Sequence, residues 1–171
     1  MSPAMYNASV PVFRQMLSAL SSLIDKTIAH AEAKKIDQAV YVNARLYPDM
    51  FPFTRQITVA TDFAKGASAR LAGIEVPKFE DTEVTLADLK ARLQKTLDFI
   101  ATLKPEQFAG AETRDITIQL RAGPTVFKGQ PYLLHYAMPN FYFHTTTAYA
   151  ILRHNGIEIG KQDFIHQLIT A

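Results

Sequence analysis

The sequence predicts a mainly α protein, an antiparallel four-helix bundle carrying a small β-hairpin before its last long helix. Three observations lead there. Long segments repeat apolar residues at three- and four-residue steps. Proline, glycine and capping residues separate these segments. One short stretch, residues 114–129, switches to a two-residue alternation. At 171 residues, with 48% hydrophobic and 20% charged side chains, the chain fits one globular domain, residues 1–171.

Asn7 or Ser9 is placed to cap the first helix, with Pro11 in its opening turn. Phe13, Met16, Leu17, Leu20, Ile24, Thr27, Ile28 and Ala31 follow helical spacing, and the helix is expected to run to about Lys34. His30 lies off this stripe and reads as a surface or boundary residue. A short helical turn is expected around Asp37 to Val42. Asp49 is the expected cap of the second helix, with Pro52 in its first turn. Phe53, Ile57, Ala60, Ala64, Ala67 and Leu71 form its buried stripe, and Gly73 ends it. Gln56 borders the buried side, Thr61 lies close to it, and Asp62 is on its flank.

Thr85 followed by Asp88 predicts a capping box. Leu86, Leu89, Leu93, Leu97, Ile100 and Leu103 build the third helix, which Pro105 stops. Ile116, Ile118 and Leu120 alternate with Thr117, Gln119 and Arg121, and Gly123-Pro124 marks the turn of the hairpin. Pro139 divides the aromatic run Pro131 to His154, so the last long helix is expected to begin near Pro139. Asn155-Gly156 ends it, and Lys161 to Ile169 is expected to form a short terminal helix.

The composition excludes several kinds of chemistry. There are no cysteines, hence no disulfide, thiolate–metal site or cysteine nucleophile. A net charge of +2 gives no electrostatic footprint for nucleic acid. No apolar run reaches the roughly 20 residues of a membrane helix, and the N-terminus lacks the pattern of a signal peptide. The expected location is the cytoplasm. Neither a phosphate loop nor a nucleophile elbow nor an HExxH motif occurs.

Candidate chemistry therefore centres on the last helix. Steps of three and four from Asn140 pass through His144, Thr147, Ala148, Ile151 and Leu152, which turns His144 inward. A buried histidine hydrogen-bonded to a polar neighbour is one reading. A metal ligand or catalytic residue is the other, because side chains of facing helices converge in bundle cores. His154 suits the C-terminal end of the helix dipole. An aromatic-lined pocket around Tyr142, Phe143 and Tyr149 is a further candidate.

The stretch YLLHYAMPNFYFHTTTAYAILRHNG resembles the last-helix region of the DinB/YfiT-like superfamily. More narrowly, LYPDMFPFTRQ, PNFYFHTTTAYAILRHNG and IGKQDF resemble an uncharacterised bacterial and fungal domain family of that superfamily. The resemblance implies an up-down-down-up bundle, often a homodimer. Typical superfamily members bind a divalent metal, such as Zn or Ni, through one histidine on the second helix and an HxxxH pair on the last. Here His144 matches the second of the pair, Asn140 stands at the first, and the second helix has no histidine. Asp62 or Thr61 lies nearest the remaining position. The metal candidates are thus His144, Asn140 and Asp62. Two functions stay open: a small-ligand-binding or structural dimer with a degenerate metal site, or a metal-dependent hydrolase or thiol-dependent transferase.

Overall fold

Proline and glycine placement decides where each helix begins and ends. The computed structural model describes residues 3–166. A single turn, α1 (Ala4–Asn7), precedes α2 (Val10–Lys34), which has Pro11 in its first turn as expected. Asn7 belongs to α1 and cannot cap α2. Ser9 occupies the cap position, but its hydroxyl turns back and donates to the carbonyl of Met5 at 2.5 Å. The preceding turn offers the hydroxyl proton a carbonyl acceptor, and the hydroxyl takes it instead of accepting from an N–H of α2. Lys35 closes the helix in the left-handed conformation.

α3 (Ala39–Asn43) is the short turn expected near Asp37. α4 (Phe53–Ala72) begins after Pro52, and Asp49 lies in the turn before it and is not its cap. The cause is local, since a residue before proline is driven out of the helical region and Phe51 cannot extend the helix backward. The Phe53 N–H instead donates to Ala44 O at 2.9 Å. Gly73, at φ 71°, ends α4 as the sequence requires.

α5 (Leu86–Ala101) carries the expected capping box. The Asp88 N–H donates to Thr85 Oγ1, and Asp88 Oδ2 accepts from the Thr85 N–H. The helix ends at Ala101 rather than Leu103, although Leu103 remains buried. A 3-10 turn follows at Pro105–Phe108. Strands β1 (Asp115–Leu120) and β2 (Gly123–Lys128) form an antiparallel hairpin that pairs Asp115 with Lys128 and Leu120 with Gly123. Ile116 and Ile118 face the bundle and are buried.

Pro139 does not divide the last helical run. α6 (Gly129–Pro131), a π-turn at Tyr132–Ala137 and α7 (Met138–His154) continue one into the next. Proline lacks an N–H, and its ring crowds the carbonyl one turn back. The wider π-turn immediately before it relieves that crowding without breaking the rod. Gly156, at φ 86°, follows the end of α7, and α8 (Lys161–Ile165) closes the described chain. The remainder of the expected terminal helix, 167–169, lies outside the described residues.

Side-chain pairings fix the direction of each helix. Along α4, Gln56, Phe63 and Arg70 meet His144, Tyr136 and Tyr132 in reverse order, so α4 and α7 are antiparallel. Thr61 meets Arg92, while Lys65 and Lys95 share the ring of Phe79, so α4 and α5 are parallel. Residues 74–84 return along the bundle to make this possible, and Arg55 at the start of α4 binds Asp81. Asp25 meets Lys90, and Tyr6 meets Phe108 beyond the other end of α5, which makes α2 antiparallel to α5. The order is up-down-down-up, as the resemblance implied. The core joins Phe13 of α2 to Phe141 of α7, edge-on at 4.9 Å. No described helix is long and apolar enough to cross a membrane.

Gly129 begins the last helical run against backbone. A Cβ there would lie 1.8 Å from the carbonyl oxygen of Ala111. Gly129→Ala is therefore expected to cost about 3 kcal/mol, since main chain yields less readily than a side chain. Gly160 has no Cβ neighbour closer than 4.0 Å, and Gly160→Ala is expected to stay within about 0.5 kcal/mol of wild type. Urea-unfolding midpoints measure both; equal midpoints for the two variants would contradict this packing.

Candidate functional site

The seam between α4 and α7 holds the polar group that the last helix buries. His144 is 8% exposed, and its Nδ1 lies 2.7 Å from Gln56 Oε1. The amide of Gln56 is itself oriented, because its Nε2 donates to Phe51 O at 3.1 Å. Oε1 must then accept, so His144 Nδ1 carries the proton and Nε2 carries the lone pair. The imidazole lies between two rings at an interplanar angle of 18° to each, Phe51 at 6.5 Å and Phe63 at 6.1 Å. Phe143 meets it edge-on at 5.2 Å. Burial, and then the positive charge of Arg55, hold its pKa below the usual histidine value. His144 is therefore neutral at pH 7. Nε2 has no protein partner, and it is not one of the sealed unpartnered atoms among the described residues. His144 lines a cavity of about 220 Å³ together with Asp49, Met50, Phe51, Gln56 and Phe143.

The other sequence candidates have different surroundings. Asn140 precedes His144 by one turn on α7, and its amide donates to Tyr136 O at 2.7 Å. The Asp62 carboxylate is turned to α5, where it binds Arg92 at 2.9 Å and Lys65 at 3.1 Å. Thr61 accepts from Arg92 Nε at 3.0 Å. Neither Asp62 nor Thr61 faces His144; Gln56 holds that place on α4. Its signal in the sequence was its position beside the buried stripe, polar where the next turn inward is apolar. Among the described residues, no three His, Asp or Glu side chains gather as a metal site would require. The donor set at His144 offers one imidazole nitrogen and two engaged amides, which does not fit a tetrahedral Zn site.

His30 is half-buried, edge-on to Tyr41 at 6.2 Å, and His154 is exposed at the end of α7. Tyr142 and Phe143 line an apolar cavity of about 440 Å³ with Leu46, Pro139, Thr146, Thr147 and Ala150. Tyr149 does not join them, because it packs on Phe164 of α8 at 5.6 Å.

A mainly helical bundle with one two-stranded hairpin is the fold this chain shares with a DinB-like protein. A crystal structure of a DinB family member from Shewanella denitrificans is 40% identical to this chain, with a TM-score of 0.91. The match covers 97% of this chain and 94% of that one. Residues 5–165 match the family described as a domain of unknown function, DUF1993, and the chain belongs to that family. No curated protein matches it.

The depressed pKa of His144 makes stability depend on pH. As pH falls through about 6.5, the unfolded imidazole takes a proton that the folded one resists. The unfolded state then binds more protons, so stability falls until the folded pKa is passed. In His144→Asn this contribution is absent. The stability gap between wild type and variant should therefore narrow from about pH 7.5 to about pH 4.5, as read from urea midpoints. A gap independent of pH would contradict the buried neutral ring.

Proposed function

We propose that this protein is a homodimeric small-ligand-binding bundle in which His144 is a neutral hydrogen-bond acceptor rather than a metal ligand. The observation that supports the reading most is the locked tautomer. Gln56 and Phe51 O hold the Nδ1 proton, so the Nε2 lone pair is presented to a cavity walled by Phe51 and Phe143. A largely apolar cavity whose polar members, the His144 Nε2 lone pair and the Asp49 carboxylate, are acceptors suits an uncharged planar molecule that brings its own N–H or O–H donor. The competing reading is a metal-dependent hydrolase or thiol-dependent transferase with His144 as a ligand. It draws on the same open Nε2, but Gln56, Asn140 and Asp62 already have protein partners.

The dimer reading rests on an exposed apolar face. Tyr47, Phe51, Tyr142 and Phe143 are each more than 40% exposed, and Leu46 adjoins Tyr142 and Phe143 in one cavity. A second copy, offering the same mixed aromatic surface across a two-fold axis, is the occupant we assign to this face.

Phenol and indole serve as probes of the cavity. Each should bind saturably in NMR titrations, and anisole and N-methylindole, which lack the donor, should bind about tenfold more weakly. His144→Ala should remove that preference. It should also cost about 1–3 kcal/mol of stability by leaving Gln56 unpaired. Tag-free wild type should melt at the same temperature with Zn, with Ni or with chelator. A metal-dependent rise that His144→Ala abolishes would favour the enzyme reading instead. Sedimentation velocity should show a dimer at micromolar concentration and a monomer for Tyr142→Arg; a monomeric wild type would remove the dimer.

A further inference from the structure

A third cavity, of about 190 Å³, lies farther along the seam between α4 and α7 and is lined by Asp62, Phe63, Arg70, Ile118, Tyr132 and Tyr136. Three elements build it. α4 supplies Asp62, Phe63 and Arg70, the hairpin supplies Ile118, and the π-turn supplies the two tyrosines.

Arg70 is the unusual member. It makes no ion pair among the described residues, and its only side-chain hydrogen bond there is Nη1 to Tyr132 Oη at 3.3 Å. A simple account would assign it to the C-terminal end of the α4 dipole, since it stands in the last turn. The side chain points the other way. It folds back one turn over Gly66, where a Cβ would lie 2.5 Å from Nη1. Gly66 in a helix interior weakens the helix relative to alanine, and here its missing side chain is the space the guanidinium uses.

The rest of the wall fits a negative group with a flat body. Asp62 does not neutralise Arg70, because its carboxylate is bound to Arg92 and Lys65. Tyr132 accepts from Arg70, which leaves its O–H free to donate. Burial pushes the Tyr132 hydroxyl up, opposed by Arg70, so it keeps its proton at neutral pH. Tyr136 stacks on Tyr132 at 5.9 Å and meets Phe63 at 5.7 Å, giving the cavity aromatic sides.

We propose that this cavity is a binding site for a small carboxylate with an aromatic or apolar body, its charge held by the Arg70 guanidinium and the Tyr132 hydroxyl and its body lying against the rings of Phe63 and Tyr136. A guanidinium fork and a phenol O–H offer convergent donors to a carboxylate, and rings accept the body. This site is separate from the one at His144 and does not rest on that reading.

The test uses benzoate as probe, with benzamide, acetate and inorganic phosphate as comparisons, titrated into the full chain by calorimetry and by ¹⁵N NMR of the arginine Nε–H. Benzoate should bind saturably and shift the Arg70 signal. Benzamide, which lacks the charge, and acetate, which lacks the ring, should each bind about tenfold more weakly or worse. Arg70→Met should abolish benzoate binding, and Tyr132→Phe should weaken it about tenfold. Gly66→Ala is the sharper variant. It raises helix propensity and meets only the flexible end of Arg70, so the fold should be kept while benzoate binding falls. Benzoate binding that survives Arg70→Met, or benzamide binding as well as benzoate, would overturn the proposal. So would phosphate displacing benzoate at equal concentration, since that would mark a bare anion site.

Discussion

Arg92 is the interaction on which this bundle's arrangement depends. It is 3% exposed, yet its guanidinium reaches Thr61 and Asp62 on α4, and Asp81, Glu83 and the carbonyl of Glu80 in the crossover. Burial disfavours its charge, and the bond to Glu83 with the carboxylates of Asp62, Glu83 and Asp81 outweighs that cost. Asp62 and Asp81 are nearly half exposed, so water screens their share, and the bond to Glu83 carries more of the effect. The crossover is held from its other side too. Phe79 lies under the ammonium groups of Lys65 and Lys95, each 4.2 Å from its ring. These contacts keep residues 74–84 extended along the bundle. An ordinary short connection would have made α4 and α5 antiparallel.

That topology assigns the two sides of α4 different work. One side is tied to α5 by charge. The other faces α7 along positions 56, 63 and 70, one every seven residues, which is the spacing of a coiled-coil seam. Phe63 sits in the middle of that seam. It stacks on His144 in one direction and touches Tyr136 in the other, so it separates the histidine from the cavity at Arg70. The π-turn matters for the same reason. It sets Tyr132 and Tyr136 nearly parallel, with an interplanar angle of 29°, just where the hairpin covers the bundle. Phe127 of β2 stacks on Tyr136 at 5.7 Å and fastens the hairpin to that turn. A two-stranded hairpin is marginal alone, and these contacts are what it packs on.

Local features were legible in the residues alone. Stripes at three- and four-residue steps located every long helix, because amphipathic period is a property of the segment that carries it. The capping box at Thr85, the left-handed glycine at position 73 and the hairpin after Arg114 were legible for the same reason. So was the burial of His144, whose phase relative to Ile151 and Leu152 is set within one helix. Pairing between segments emerged only once the helices were packed together. Gln56, rather than Asp62 or Thr61, meets His144, since the rotation of α4 against α7 is fixed by both helices together. Asp62 goes to Arg92 because α5 lies parallel on that side, and no spacing within α4 reveals it. The helix start after Pro52 and the continuity through Pro139 show the same limit from opposite sides. Pro52 acts on its own neighbour, so its effect was present in the sequence and misjudged. Pro139 is accommodated by a π-turn that the hairpin and α4 hold in place, and that depends on residues distant along the chain.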